Sequence, residues 1–223
     1  MDFTTTQVNP HIFYGLALLA GLLIHKIPFV KRPFLWFEVF FHELSHGLVA
    51  VFTGGSIDRI ELHWQGSGAC YHRGGWSRLT TLAGYFGGVG FGALIYWAAL
   101  HIALGEATHI FYGLMGLLAI VTLFWVRNVV TLFIMAVLAG VLYLPMYFQA
   151  YDYIALFYML LGVATTLSGC SAPIDLLYSR GGDGEKLARL TLIPEWVWVV
   201  IWLIFGFYAL YAMHGWTVSA LSS

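Results

Sequence analysis

The chain has 223 residues, of which 60% are hydrophobic and only 9% charged, with a mean hydropathy of +0.81. A water-soluble domain needs a far more charged surface, so this composition excludes one and points to a polytopic membrane protein. The net charge of −1 argues against a nucleic-acid partner and leaves no polybasic run for anionic lipid.

In chain order, the first residues (MDFTTTQVNPHIFYG) lack the basic start of a secretory signal, so the first apolar stretch is expected to stay as a helix. Hydropathy places seven spans, near 11–30, 34–53, 78–104, 109–126, 128–148, 153–178 and 195–217. The expected fold is an all-α membrane domain covering 1–223, with one short β-hairpin after the second span. A basic turn of Lys31, Arg32 and Pro33 is expected between the first two spans, and a hinge at Arg127-Asn128 between the fourth and fifth. With the N-terminus inside, inside loops hold Arg59, Arg73, Arg78, Arg127, Arg180, Lys186 and Arg189, against Lys26, Lys31 and Arg32 outside. The positive-inside rule then predicts a cytoplasmic N-terminus, in what reads as a bacterial cytoplasmic membrane.

The second span, FLWFEVFFHELSHGLVAVF over 34–52, carries Glu38, His42, Glu43 and His46 in its middle. Ionisable groups at that depth are costly and mark functional sites. On a helix His42 and His46 fall one turn apart on one face, so both imidazoles can reach one metal ion. Glu43 is placed to take a proton from a water on that metal. Glu38, a turn before His42, either orients that imidazole or is solvated near the interface.

Gly54-Gly55 can stop this helix. Ile57 to Trp64 then alternates apolar and polar, Gln65 to Gly68 supplies a turn, and Ala69 to Arg73 returns, predicting a ribbon over 56–73. Its edge either receives an extended peptide as an added strand or merely closes the helix pair. In the third span Gly84, Gly88 and Gly92 recur every four residues, making a groove for close helix packing, with the motif helix as one possible partner.

Two histidines need a third protein ligand if the fourth zinc position is to stay open for water. Asp175, set in the apolar run at the end of the sixth span after Pro173, is the best placed acid on another helix; a surface cap or ion pair is its alternative role. Asp2, Asp58, Glu61, Glu106, Asp152, Asp183, Glu185 and Glu195 fall at termini, loops or span edges. His63, Cys70, His72 and Cys170 are minor ligand candidates. Cys70 and Cys170 read as two free thiols, a single bridge between them being the alternative. Arg127 and Asn128 either contact substrate or anchor at the interface.

His42-Glu43-Leu44-Ser45-His46 in a membrane helix, the ribbon after Gly54-Gly55 and the late Asp175 together resemble the site-2 protease family of intramembrane zinc metallopeptidases. The likeness runs from about residue 34 to 178 and is closest to small members lacking a PDZ domain. It implies that His42, His46 and Asp175 hold one zinc ion, that Glu43 is the general base, and that the ribbon presents an unwound strand. The partners it implies are a transmembrane protein substrate, such as a single-span one, and the lipid bilayer. Better-known members carry Asn-Pro-Asp-Gly or Leu-Asp-Gly around the third ligand, where this chain has Ala-Pro-Ile-Asp-Leu. The rival readings are a non-proteolytic membrane zinc hydrolase, a silent binding or scaffold protein, and a metal carrier.

Overall fold

The computed structural model describes residues 9–101, 108–148, 153–178 and 181–222; Asp2, Glu106, Asp152 and Arg180 lie outside them. Helix α1, Pro10–Ile24, starts with Pro10 in its first turn and Asn9 as its cap, whose side chain accepts from the His11 and Ile12 amides. At 15 residues it is about 22 Å long, short of the ~30 Å hydrocarbon layer. The chain then bends by 105° into α2, Pro28–Phe52. The break falls at His25–Ile27, and α2 runs straight through Lys31, Arg32 and Pro33, which therefore form no turn. Proline suits a first helical turn, and Pro28 occupies that place. His25 fixes the bend: its Nδ1 donates to the Gly21 carbonyl at 2.7 Å, leaving Nε2 to accept from the Ser168 hydroxyl at 2.6 Å.

Strands β1, Ser56–Leu62, and β2, Gly68–Arg73, form an antiparallel hairpin with a bulge between Ile57 and Arg59. The expected alternation holds where it matters, with Ile60 and Leu62 buried and Trp64 largely exposed. Two strands alone are marginal, and this pair is anchored on the helices. The Leu62 amide donates to Thr131 Oγ1 at 2.8 Å, and that hydroxyl donates back to the Leu62 carbonyl at 3.3 Å.

Helices α3, Ser77–His101, α4, Thr108–Trp125, α5, Val129–Tyr147, α6, Ile154–Leu176, and α8, Glu195–Ser222, are each long and apolar enough to cross a membrane. By length and composition the described residues thus offer five candidate crossings, or six if the bent α1–α2 pair makes one, against the seven expected. α4 and α5 are separate helices, divided at Val126–Asn128, where Asn128 caps α5 through the Thr131 amide at 2.8 Å.

The core sits on α3, which packs chiefly against α6 on one side and α2 on the other. The Gly84-Gly88-Gly92 row serves both contacts. A Cβ on Gly92 would lie 2.9 Å from the Gly162 carbonyl oxygen of α6. At Gly88 the nearest atom is Glu38 Oε1 of α2, at 3.2 Å. Next to Gly88, Gly87 leaves room for Ser45, whose Oγ would stand 1.7 Å from an added Cβ. The groove expected from sequence therefore holds the motif helix in its first half only.

One further helix was not expected from the sequence. α7, Asp183–Thr191, is a nine-residue amphipathic segment with Asp183 and Glu185 in its first turn and Arg189 in its last, as the helix dipole favours. Its buried Leu187 joins Tyr85, Leu176, Val199 and Trp202, pinning α7 against α3 and α8.

Candidate metal centre

α2 brings His42 and His46 together as their spacing requires, with Nε2 atoms 3.0 Å apart. The carboxylate that meets them is Asp183 from α7. Its Oδ2 lies 3.1 Å from His42 Nε2 and 3.0 Å from His46 Nε2. Among the described residues these are the three whose donor atoms cluster as a metal site would require. Asp175 is exposed and outside the group. The physical reason is that α6 continues through Pro173 to Leu176, burying those two residues and turning Ile174 and Asp175 outward. The chain then folds back through Gly181 and Gly182, and α7 presents its first residue to the histidines. A sequence signal for this existed: the Asp-Gly pair found at the third ligand of better-known site-2 proteases occurs here as Asp183-Gly184. Its charged, glycine-rich surroundings read as an ordinary loop.

The donor set fits a cation. A backbone carbonyl can only accept, so His46 Nδ1 donates to the Thr80 carbonyl at 2.6 Å. A neutral His46 then aims a lone pair from Nε2 at His42 Nε2 and Asp183 Oδ2. With His42 also offering its Nε2 lone pair, three acceptor atoms about 3 Å apart would repel unless a positive charge lay between them. Tetrahedral ligands at ~2.0–2.1 Å from zinc would stand roughly 3.3 Å apart, close to the separations found. Gly84 keeps the space open, since a Cβ there would lie 2.5 Å from each Nε2. The Tyr85 ring meets the His42 ring edge-on at 4.5 Å and holds its orientation. Against the opposing effect of burial, protonated His46 and His42 imidazoles facing it would, without a metal ion, hold the Asp183 carboxyl below the usual carboxylate range.

These residues line a cavity of about 470 Å³ shared with Glu38, Glu43, the turn and first half of β2 from Gly66 to Cys70, His72 and Lys186. Glu43 is buried against β2, where Gly68 gives it room: a Cβ would meet its Cγ at 2.7 Å and its Oε1 at 3.0 Å. Glu38 is buried rather than solvated, and its Oε1 has no partner.

The minor candidates fall elsewhere or are unsuited. His63 is exposed and pairs with Ser67. His72 lines the cavity but turns Nδ1 to the Gly74 carbonyl. Cys70 and Cys170 are both free. Burial pushes the Cys70 thiol up to about 12, so it is protonated near neutrality and a poor ligand. Cys170 packs against Gly206 of α8. Arg127 is exposed and donates to the Leu123, Phe124 and Val126 carbonyls, closing the end of α4 rather than serving the cavity. Asp58 and Glu61 pair with Arg73 and Arg59 on the hairpin.

Residues 15–213 match the family model described as Peptidase M50B-like. The chain belongs to this peptidase family. The match covers most of the sequence and agrees with a small member of the site-2 protease group. Comparison with curated proteins and with solved structures returned no match. Membership in a peptidase family together with the apolar helices makes this M50B-like protein an integral membrane protease.

Proposed function

We propose that this M50B-like protein is an intramembrane zinc endopeptidase that cuts membrane-embedded protein substrates. The observation that carries the reading is the meeting of His42, His46 and Asp183 donor atoms within about 3 Å of one another, beside the buried Glu43. His42, His46 and Asp183 would hold the ion. Bound there, zinc would lower the pKa of a water from about 16 to about 7 and polarise the scissile carbonyl.

The chain's own residues supply the rest. Glu43 accepts the proton of the attacking water and delivers it to the departing amine nitrogen. Its placement between α2 and Gly68 of β2 holds the carboxylate where a strand lying along the hairpin would pass. A substrate helix bonds its own amides, so it must unwind before attack. Strand pairing with β2, whose Gly68–Cys70 segment lines the cavity, offsets part of that cost. The β1 side is already engaged at Leu62 by Thr131. The Thr80 carbonyl and Tyr85 keep the two imidazoles aimed during the reaction.

The test is co-expression with single-span membrane proteins, comparing wild type with Glu43→Gln. Cleavage is expected to vanish in the variant while its zinc content stays normal. Proteolysis that survives the change rules out Glu43 as the base.

A further inference from the structure

Glu38 has no task in the mechanism above, yet it is the most deeply buried charged side chain of the cavity. It is only 3% exposed, it lines the cavity one helical turn before His42, and its Oε1 has no hydrogen-bond partner. Gly88 of α3 leaves it space, with Oε1 at 3.2 Å from where a Cβ would stand. Glu38 is not one of the three clustered donors, so the metal does not explain it. One oxygen of this carboxyl, Oε1, is sealed against α3 without a partner, which is costly, and the cost is offset only when the carboxyl turns to meet a donor. The cavity that would admit this donor is the one that would admit the substrate.

Resting on the endopeptidase reading, we propose that Glu38 is a substrate-positioning residue that accepts a hydrogen bond from a backbone amide of the unwound peptide. An unwound segment carries amides that have lost their helical partners, which is the donor chemistry Glu38 lacks. The position of that amide follows from two repeats. Four residues of helix separate Glu38 from His42 by about 6 Å along α2. An extended chain advances ~3.3 Å per residue, so the amide belongs to a residue about two positions from the scissile bond.

The experiment uses the full, zinc-loaded chain in detergent and a synthetic single-span peptide that wild type cleaves. Amides around the cleavage point are replaced by esters one at a time, deleting single N–H donors. In wild type, one ester about two residues from the scissile bond is expected to raise KM about tenfold with kcat within about twofold. Glu38→Leu is expected to raise KM on the all-amide peptide by a similar factor, and that same ester then costs it nothing more. Glu38→Gln, which keeps an acceptor oxygen, stays within about threefold of wild type. Equal ester costs in wild type and Glu38→Leu overturn the proposal, as does loss of zinc from Glu38→Leu. If that variant fails to fold, Glu38→Ala takes its place in the same comparison, because amides paired with β2 are also ester-sensitive in wild type. Equal ester costs in wild type and Glu38→Ala overturn the proposal, as does a wild-type scan with no sensitive position. A Glu43→Gln control separates the two readings. Activity surviving in the control defeats the protease mechanism, whereas a dead control with no Glu38 effect defeats only this inference.

Discussion

His46 Nε2 and Asp183 Oδ2 stand 3.0 Å apart although 137 positions separate them in the chain. α2 supplies one partner by its own periodicity. The other arrives only because α7 is held against α3 and α8 by Leu187 and its neighbours.

That relationship sets the first expectation. Asp183→Ala should lower zinc affinity at least tenfold and abolish cleavage, since two histidines leave the site short of a ligand. Asp175→Ala, at an exposed position, should keep full zinc and activity. Metal analysis of the two purified variants checks this, and the opposite pattern restores Asp175 as the ligand.

Gly84→Ala tests the space between the rings. The added methyl would stand 2.5 Å from both Nε2 atoms, so zinc should be lost while the helical circular dichroism is kept. Gly90→Ala is the control, because nothing lies within 4 Å of a Cβ there.

Leu187→Ala removes the buried anchor of α7. A cavity of this kind costs about 2–5 kcal/mol. The loss should appear first as weakened zinc binding, because α7 carries Asp183. Titration with a competing chelator at fixed temperature measures it; unchanged zinc affinity shows that Asp183 is held by other contacts.

Thr131→Val strips the hairpin of its clasp and leaves the buried Leu62 amide and carbonyl without their side-chain partner. About 1–3 kcal/mol of destabilisation is expected. Faster hydrogen exchange at Leu62, with cleavage reduced more than zinc binding, would confirm that the hairpin serves substrate rather than metal.

Cys70 gives a pH-dependent readout. With its thiol pushed up to about 12, little thiolate exists at pH 7.5 and alkylation is slow; the rate should climb steadily through pH 10. Iodoacetamide labelling of the Cys170→Ser protein follows this one site. Rapid labelling at pH 7.5 would show the thiol to be solvated.

Local chemistry made much of this molecule readable from its residues. A run of apolar residues long enough to cross a bilayer must be helical, because the backbone finds no other partners in lipid. Two histidines four apart on such a helix must share a face. Alternation at Ile60 and Leu62 after Gly54-Gly55 foretold the hairpin. Tertiary packing decided the rest. The bend at His25–Ile27 depends on a bond to Ser168 on α6, which no local pattern encodes. Glu38 looked equally suited to the interface or the interior until α3 covered it. The acid that meets the histidines was hidden for the same reason: Asp175 had the apolar surroundings of a buried acid, and Asp183, which the fold brings beside them, those of a solvated loop. Which acid faces the histidines depends on how α6 ends and where a nine-residue helix docks, and both are set by contacts between segments far apart in sequence.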